Sequence, residues 1–311
     1  MKIAFTSCIN YELFPEQPEW KDVLAADPDY LFLLGDQIYM DWFPLLGKKH
    51  SPKFDVFAKK MKKKYDQQWG EKHFKQLVDK MKSKNGFYGI WDDHDFLWNN
   101  AKGGDLTEPE DLEKINYSRD MFRSYFNIQS TNDNPLYYAI DTPFARVIFL
   151  DNRTYAQKPQ NGEYKTILGS DQFSFLTEKL NHNLPYTLIC GGLTLTAGGE
   201  NWEDYDTDLQ TLCTLIKDKK NVLFLSGDIH RNKFVEPRTR ANNLKTPPQL
   251  ISSGMQVTTL GKVNHHWALL EITETELKVD FYKNGFNRKT VRDNHLSDCT
   301  TKWLFDNKGK Y

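Results

Sequence analysis

The sequence predicts an α/β protein with a mixed sheet system. Short apolar runs of strand length alternate with stretches whose apolar residues recur at helical spacing. Toward the C-terminus, strands follow one another without helices between them, so the sheet cannot be purely parallel. Four of the apolar runs end in polar groups capable of chemistry. The 311 residues are 39% hydrophobic and 14% aromatic, enough to bury a sizeable core. With no internal repeat and no low-complexity linker, residues 1–311 read as a single domain. The net charge of -1 supplies no global field for nucleic acid or anionic membrane. No apolar run reaches membrane-spanning length.

The first strand is "KIAFTS". The N-terminal "MKIAFTSCINYE" is too short an apolar stretch for a signal peptide, so the chain as written is expected to be cytoplasmic, or periplasmic or secreted if a leader has been removed. "EWKDVLAA" is a helix and "DYLFLLGD" a buried strand. Residues 51–84 are lysine-rich and helical: Ser51 can cap, Pro52 suits the first helical position, and Phe54, Phe57, Met61 and Tyr65 share a face. "FYGIWDDHD" runs from strand into loop, residues 101–110 form a polar loop, and 110–126 a helix with Leu112, Ile115, Met121, Phe122 and Phe126 inward. "LYYAID" and "ARVIFLD" make a hairpin turning at Pro143. A helix near 170–181, the strand "TLICGG", a helix over 205–218 and the strand "NVLFLSGD" follow; "QLISSG", "WALLEI" and "LKVDFY" complete the strands. The four cysteines (Cys8, Cys190, Cys213, Cys299) are widely spaced and suggest no disulfide scaffold.

The polar strand ends are the functional signal. The first strand ends at Cys8, the second in "GDQIY" with Asp36 and Tyr39, the third in "WDDHD" with Asp93 and His94, and a later one in "SGDIH" with Asp228 and His230. In layered α/β proteins, strand carboxyl ends line one edge of the sheet, where ligands bind. Each group alone has a plainer reading: a Gly-Asp is often a turn, a single Cys a small buried hydrophobe, and Tyr39 a core residue. Together they suit a cation. Packing Asp92, Asp93 and Asp95 around His94 costs repulsion that a bound ion offsets. Carboxylates with one imidazole suit hard or borderline metals, and an added phenolate and thiolate favour ferric iron. An aspartate between two metals can bridge them in a clamp for phosphoryl transfer. No serine or cysteine nucleophile with a triad partner stands out.

In this order, "FTSC", "GDQIY", "WDDHDF" and "SGDIH" resemble the PhoD-like (alkaline phosphatase D) branch of the metallophosphoesterases, as do "VIFLDNRTY" and "LISSG". The resemblance spans roughly residues 3–260. It implies a four-layer α/β/β/α sandwich with two mixed sheets, a dinuclear or multinuclear metal site holding Fe3+ and Ca2+ or other divalent ions, and hydrolysis of phosphomonoesters and phosphodiesters. It further implies that Asp36 bridges, that Tyr39 and Cys8 supply a phenolate and a thiolate ligand, and that Asp93, Asp228 and His230 are ligands. His94 is then the non-ligating histidine that assists the leaving group or the phosphoryl oxygens. The family's WDDHDYGxND becomes "WDDHDFLWNN", which keeps Asn99 as a contact to metal or phosphate but makes Leu97 and Trp98 bulky. Its LDxRxxR keeps Arg153, to clamp phosphate or pair with an acid, and has Ala156 at the second arginine position.

Outside these motifs, Lys59, Lys60, Lys62, Lys63 and Lys64 read as a solvated helix face able to steer an anion, in preference to a nucleic-acid surface. Of His265 and His266, at most one can face the site, since neighbours in a strand point to opposite faces; His266 is the candidate taken. The rim loop "GGENWEDY" offers Trp202 or Tyr205 to the pocket. The expected function is metal-dependent phosphoric ester hydrolysis of a small phosphoester, with a metal-bound hydroxide attacking phosphorus in line. One alternative is a nuclease or nucleotide phosphodiesterase using the same site. Another is a non-catalytic metal-binding protein on this scaffold.

Overall fold

The computed structural model describes residues 1–41, 53–126, 128, 136–159, 163–259 and 262–283. The N-terminal half runs β1 (Lys2–Thr6), α1 (Trp20–Ala25), β2 (Tyr30–Leu34), α2 (Phe54–Gly70), α3 (Lys72–Ser83), β3 (Phe87–Ile90), the single turn α4 (Asp93–Phe96) and α5 (Pro109–Phe126). There follow β4 (Tyr138–Asp141), β5 (Ala145–Phe149), α6 (Gly169–Lys179), β6 (Tyr186–Cys190), α7 (Asp206–Ile216), β7 (Val222–Ser226), β8 (Lys233–Val235) and β9 (Gln249–Ile251). The chain then forms a small ribbon, β10 (Val257–Thr259) with β11 (Lys262–Asn264), before β12 (His266–Ile272) and β13 (Leu277–Lys283).

Among the described residues, one sheet has the order β13-β12-β1-β2-β3 and the other β4-β5-β6-β7-β9-β8. Strands β1, β2 and β3 are mutually parallel, as are β5, β6, β7 and β9, while β12, β13, β4 and β8 pair antiparallel. Both sheets are therefore mixed, as expected. Side-chain alternation along β5 makes the layering plain. Val147 and Phe149 join the core between the sheets, where Phe149 meets Phe32 edge-on at 5.2 Å. Ile148 points the other way, into a second core with Leu176 of α6 and Leu209 and Leu212 of α7. On the far side of the first sheet, Trp20 of α1 packs on Phe74 of α3, and Phe126 of α5 stacks on Phe87 of β3 at 4.8 Å. The order of layers is helix, sheet, sheet, helix.

Two local expectations differ. The helical stretch over 51–84 is two helices: Gly70 ends the first, and Glu71 takes an extended ψ of 129° and caps the second by accepting from the His73 and Phe74 backbone N–H groups. Ser51 and Pro52 lie outside the described residues. Leu112 is 45% exposed, one residue out of phase with the buried stripe of α5, which runs through Ile115, Ser118, Phe122 and Phe126. The three-residue strands β8, β10 and β11 are too short to show an alternation pattern.

Candidate metal centre

The parallel strands of both sheets end at the same edge, and the loops that follow them carry the polar groups. The close approach of the two sheets there depends on Gly227, after β7. A Cβ on it would lie 2.3 Å from Ser7 Oγ and 2.5 Å from the Leu34 carbonyl oxygen. Main-chain hydrogen bonds stitch the loops together: Cys8 N–H to Gly35 O, Ile9 N–H to Asp36 O, Gly254 N–H to Ser7 O and Gln256 N–H to Cys8 O. Four candidate donors hold left-handed backbone: Cys8 (φ 60°), Asp36 (φ 56°), Asp228 (φ 68°) and His230 (φ 52°). Such conformations cost energy at non-glycine residues and cluster at functional sites. Gly35, at φ 96°, sits with its Cα against the next loop, so that a Cβ would fall 2.4 Å from Asp92 Cβ. Gly35→Ala is therefore expected to lower stability by about 2 kcal/mol or more and to weaken metal retention, measured by urea denaturation and bound-metal analysis.

Among the described residues two donor groups form, with one residue in common. The sulfur of Cys8, a carboxylate oxygen of Asp36 and a ring nitrogen of His230 lie within 4.8 Å of one another, as do donor atoms of Asp36, Asp93 and His94. Cys8 Sγ is 3.3 Å from Asp36 Oδ2. The Tyr39 hydroxyl stands 3.4 Å from His230 Nε2 and adds a fourth donor to the first group. Asp228 belongs to neither group. Its carbonyl oxygen lies 3.8 Å from Cys8 Sγ, and the largest charges acting on its carboxyl include Asp92, Asp93, Arg153 and Glu200. Its charge in turn acts on Cys8 and His230, so it stands between the two groups.

The electrostatics fit a cation. Burial pushes the Cys8 thiol up to about 12 and lifts Asp36 and Tyr39 well above their usual ranges; Asp228 adds to the rise at Cys8, Cys8 to that at Asp36, and Cys8 and Asp36 to that at Tyr39. Burial, Asp92 and Asp93 raise Asp228 to about 8. These groups disfavour one another's ionisation, and a cation among them reverses that preference. Oxygen, sulfur and nitrogen donors around a common carboxylate suit two ions of different hardness. Burial also acts against the charge on Asp93 and His94, but it is outweighed: His94, Arg153 and the Asn100 N–H bring Asp93 down to about 2, and Asp93, Asp36 and Asp41 raise His94 well above its usual range.

Arg153 is 1% exposed, and its guanidinium is engaged by acids. Nε donates to Asp92 Oδ1 at 2.6 Å, Nη1 to Glu200 Oε2 at 2.9 Å, and Nη2 lies 3.8 Å from Asp93 Oδ1. Of its two expected roles, the structure supports pairing with acids. Asn99 is exposed at the rim, its backbone N–H bonded to Asp41 Oδ1. Trp202 does not reach the pocket: it is fully buried in the outer core, edge-on to Phe224 at 6.1 Å. Tyr205 is buried beside it. His266 is 4% exposed and stands behind the loop carrying His230, bonding the Ser253 carbonyl through Nδ1, and burial lowers it to about 4. Neither residue has surface to offer a substrate. Leu97 is fully buried and Trp98 is 7% exposed, and both side chains join the core cluster of the first sheet. Lys59, Lys62 and Lys63 are exposed, whereas Lys64 is buried against Glu12 and Lys60 donates to the Asp41 carbonyl at 2.6 Å.

Sequence reasoning missed Asp41, Glu200 and Lys102. Asp41 bonds His94 Nδ1. Glu200 joins Arg153 to Lys102. The available signals were modest: Asp41 extends the "GDQIY" stretch by two residues, and Glu200 is the acid following a Gly-Gly pair in the rim loop.

Two mixed sheets between helical layers, with donor residues converging from their strand ends, define the metallophosphoesterase fold. The chain is similar to a solved structure of PhoD, with 17% identity and a TM-score of 0.65 over 90% of this chain and 65% of that one. It thus spans just under two thirds of that relative's length. It is also similar to the purple acid phosphatase PPD1 from yellow lupin (Lupinus luteus) seeds, with 12% identity and a TM-score of 0.57 over 91% of this chain and 51% of that one. No curated protein sequence matches it significantly. The family model of PhoD-like phosphatases matches residues 3–249, and the chain belongs to that family.

Proposed function

We propose that the protein is a metal-dependent phosphoric ester hydrolase acting on small phosphomonoesters or phosphodiesters. The observation that carries this reading is Asp36, the one carboxylate common to both donor groups. Cys8, Tyr39, His230 and Asp36 would hold the more acidic ion, for which Fe3+ is the best match. Asp36, Asp93 and Asp228 would hold a hard divalent ion such as Ca2+. When bound, such ions acidify a water and offset charge on the phosphoryl oxygens.

The protein's own groups complete the chemistry. Water oxygen forms a bond to phosphorus as the ester P–O bond breaks, and the electron pair departs on the leaving oxygen. His94, whose Nδ1 is bonded to Asp41, gives that oxygen its proton. Arg153 acts from behind the site, holding Asp92 and Glu200 in place. No helix among the described residues is long and apolar enough to cross a membrane.

The test is hydrolysis of bis(4-nitrophenyl) phosphate and 4-nitrophenyl phosphate by chelator-stripped protein, with iron and calcium restored separately and together. The expected outcome is turnover restored in full only by both ions. Folded, metal-loaded protein that turns over neither ester would overturn the assignment and favour the metal-binding alternative.

A further inference from the structure

We infer that Asp41 is a positioning residue that fixes the direction of the His94 imidazole; this deepens the hydrolase reading above and rests on it. The strap after β2 lies along α4 and is bonded to it at successive points. Gln37 N–H donates to Asp95 Oδ2 at 3.2 Å, and Met40 N–H to the His94 carbonyl at 3.0 Å. Asp41 then turns its carboxylate onto the His94 ring, where Oδ2 bonds Nδ1. Its other oxygen accepts the Asn99 backbone N–H at 2.8 Å.

The carboxylate is therefore held from both sides and cannot swing away without losing a second bond. Its main chain is pinned as well: Lys60 of α2 donates to the Asp41 carbonyl at 2.6 Å and to the Met40 carbonyl at 3.3 Å. One lysine of the basic helix thus has a structural duty toward the site. The Tyr39 ring packs on the His94 ring, with centroids 4.3 Å apart, and limits its tilt.

An ionised carboxylate can only accept, so Nδ1 carries the hydrogen of this bond. Nε2 is the nitrogen left for the reacting groups. A ring free to rotate about its side-chain bonds would present Nδ1, Nε2 or carbon to the leaving oxygen; Asp41 selects one arrangement before substrate arrives. A carboxylate behind an imidazole does the same for metal-ligating and catalytic histidines generally. Asp36 and Tyr39 supply candidate donors to the cation groups, while Asp41, two residues on, turns to the imidazole. The stretch from Asp36 to Asp41 thereby sets metal donors and proton donor in one register.

The test compares wild-type, Asp41→Ala and Asp41→Glu proteins with metal content matched. Two esters are used, one with a good leaving group (4-nitrophenyl phosphate) and one with a poor one (phenyl phosphate). An oriented acid matters most when the leaving oxygen is basic. Asp41→Ala is expected to lower kcat on the phenyl ester by about 10²-fold and on the nitrophenyl ester by a few-fold at most, with KM and bound metal unchanged. Asp41→Glu is expected to recover part of the phenyl ester rate. Equal losses on both esters, or loss of metal, would overturn the inference by making Asp41 a general structural residue.

A second readout does not depend on turnover. In the metal-free protein, the Nδ1 proton of His94, identified by its absence in His94→Ala, should resonate far downfield and disappear in Asp41→Ala. Its persistence in Asp41→Ala would overturn the inference. A wild-type protein that shows this proton but hydrolyses no ester would leave the Asp41–His94 pairing standing and count against the hydrolase reading.

Discussion

Asp36→Asn is expected to abolish most turnover, at least about 10²-fold, and to strip the protein of much of its metal while leaving it folded. The substitution keeps the shape of the side chain and removes one charge and one acceptor. In the wild type, Asp36 is 1% exposed, 3.3 Å from Cys8 Sγ, and accepts the His94 backbone N–H at 3.3 Å. Burial and Cys8 both work against its ionisation when no cation is present. The neutral amide therefore costs the metal-free fold little, and relieving the repulsion is expected to raise its melting temperature slightly. The loss falls on the loaded state, because both donor groups draw on this one carboxylate. Bound metal measured after defined loading, with melting of the stripped protein, separates the two effects. Metal content and kcat near those of the wild type would show that Asp36 is not the shared donor.

Both cation groups are built from residues that the sequence singles out, and the reason is geometric. Parallel strands bring their carboxyl ends to one edge whatever the distance between them in the chain. A Gly-Asp or an Asp-Asp-His-Asp at such an end is therefore placed by topology alone. Local periodicity likewise marks the long elements, but it cannot see what happens between them. Gly70 and Glu71 divide one helical pattern because Glu71 finds two backbone N–H groups to cap.

Side-chain partners are harder to read, since they come from segments with no fixed spacing. Trp202 looks like a rim aromatic in sequence, yet the outer core beside α7 had room for a large ring and took it. Glu200, two residues earlier, is the side chain of that loop that turns to the site. Asp41 lies so close to Asp36 that it reads as loop polarity until its carboxylate is seen on the His94 ring.

Arg153→Met is expected to destabilise the fold by about 3–5 kcal/mol, the second large effect. Methionine approximates the buried aliphatic volume without the charge. The Arg153–Asp92 pair is 1% exposed on both sides, with Glu200 on a second guanidinium nitrogen and Asp93 within 3.8 Å of the third. Without the guanidinium, Asp92 keeps its burial and the repulsion of Asp93 but loses its counter-charge. Glu200 keeps Lys102, so the unmet charge falls mainly on Asp92.

That asymmetry yields a decisive double mutant. Asp92→Asn added to Arg153→Met removes the stranded carboxyl and is expected to recover about 1–3 kcal/mol of the loss, measured by urea denaturation of chelated protein. A phosphate-clamping arginine would behave differently: Arg153→Met would raise KM while leaving stability nearly intact, and Asp92→Asn would restore nothing. The buried geometry favours the first pattern, because a guanidinium bonded to two acids and shut away from solvent already serves as their counter-charge.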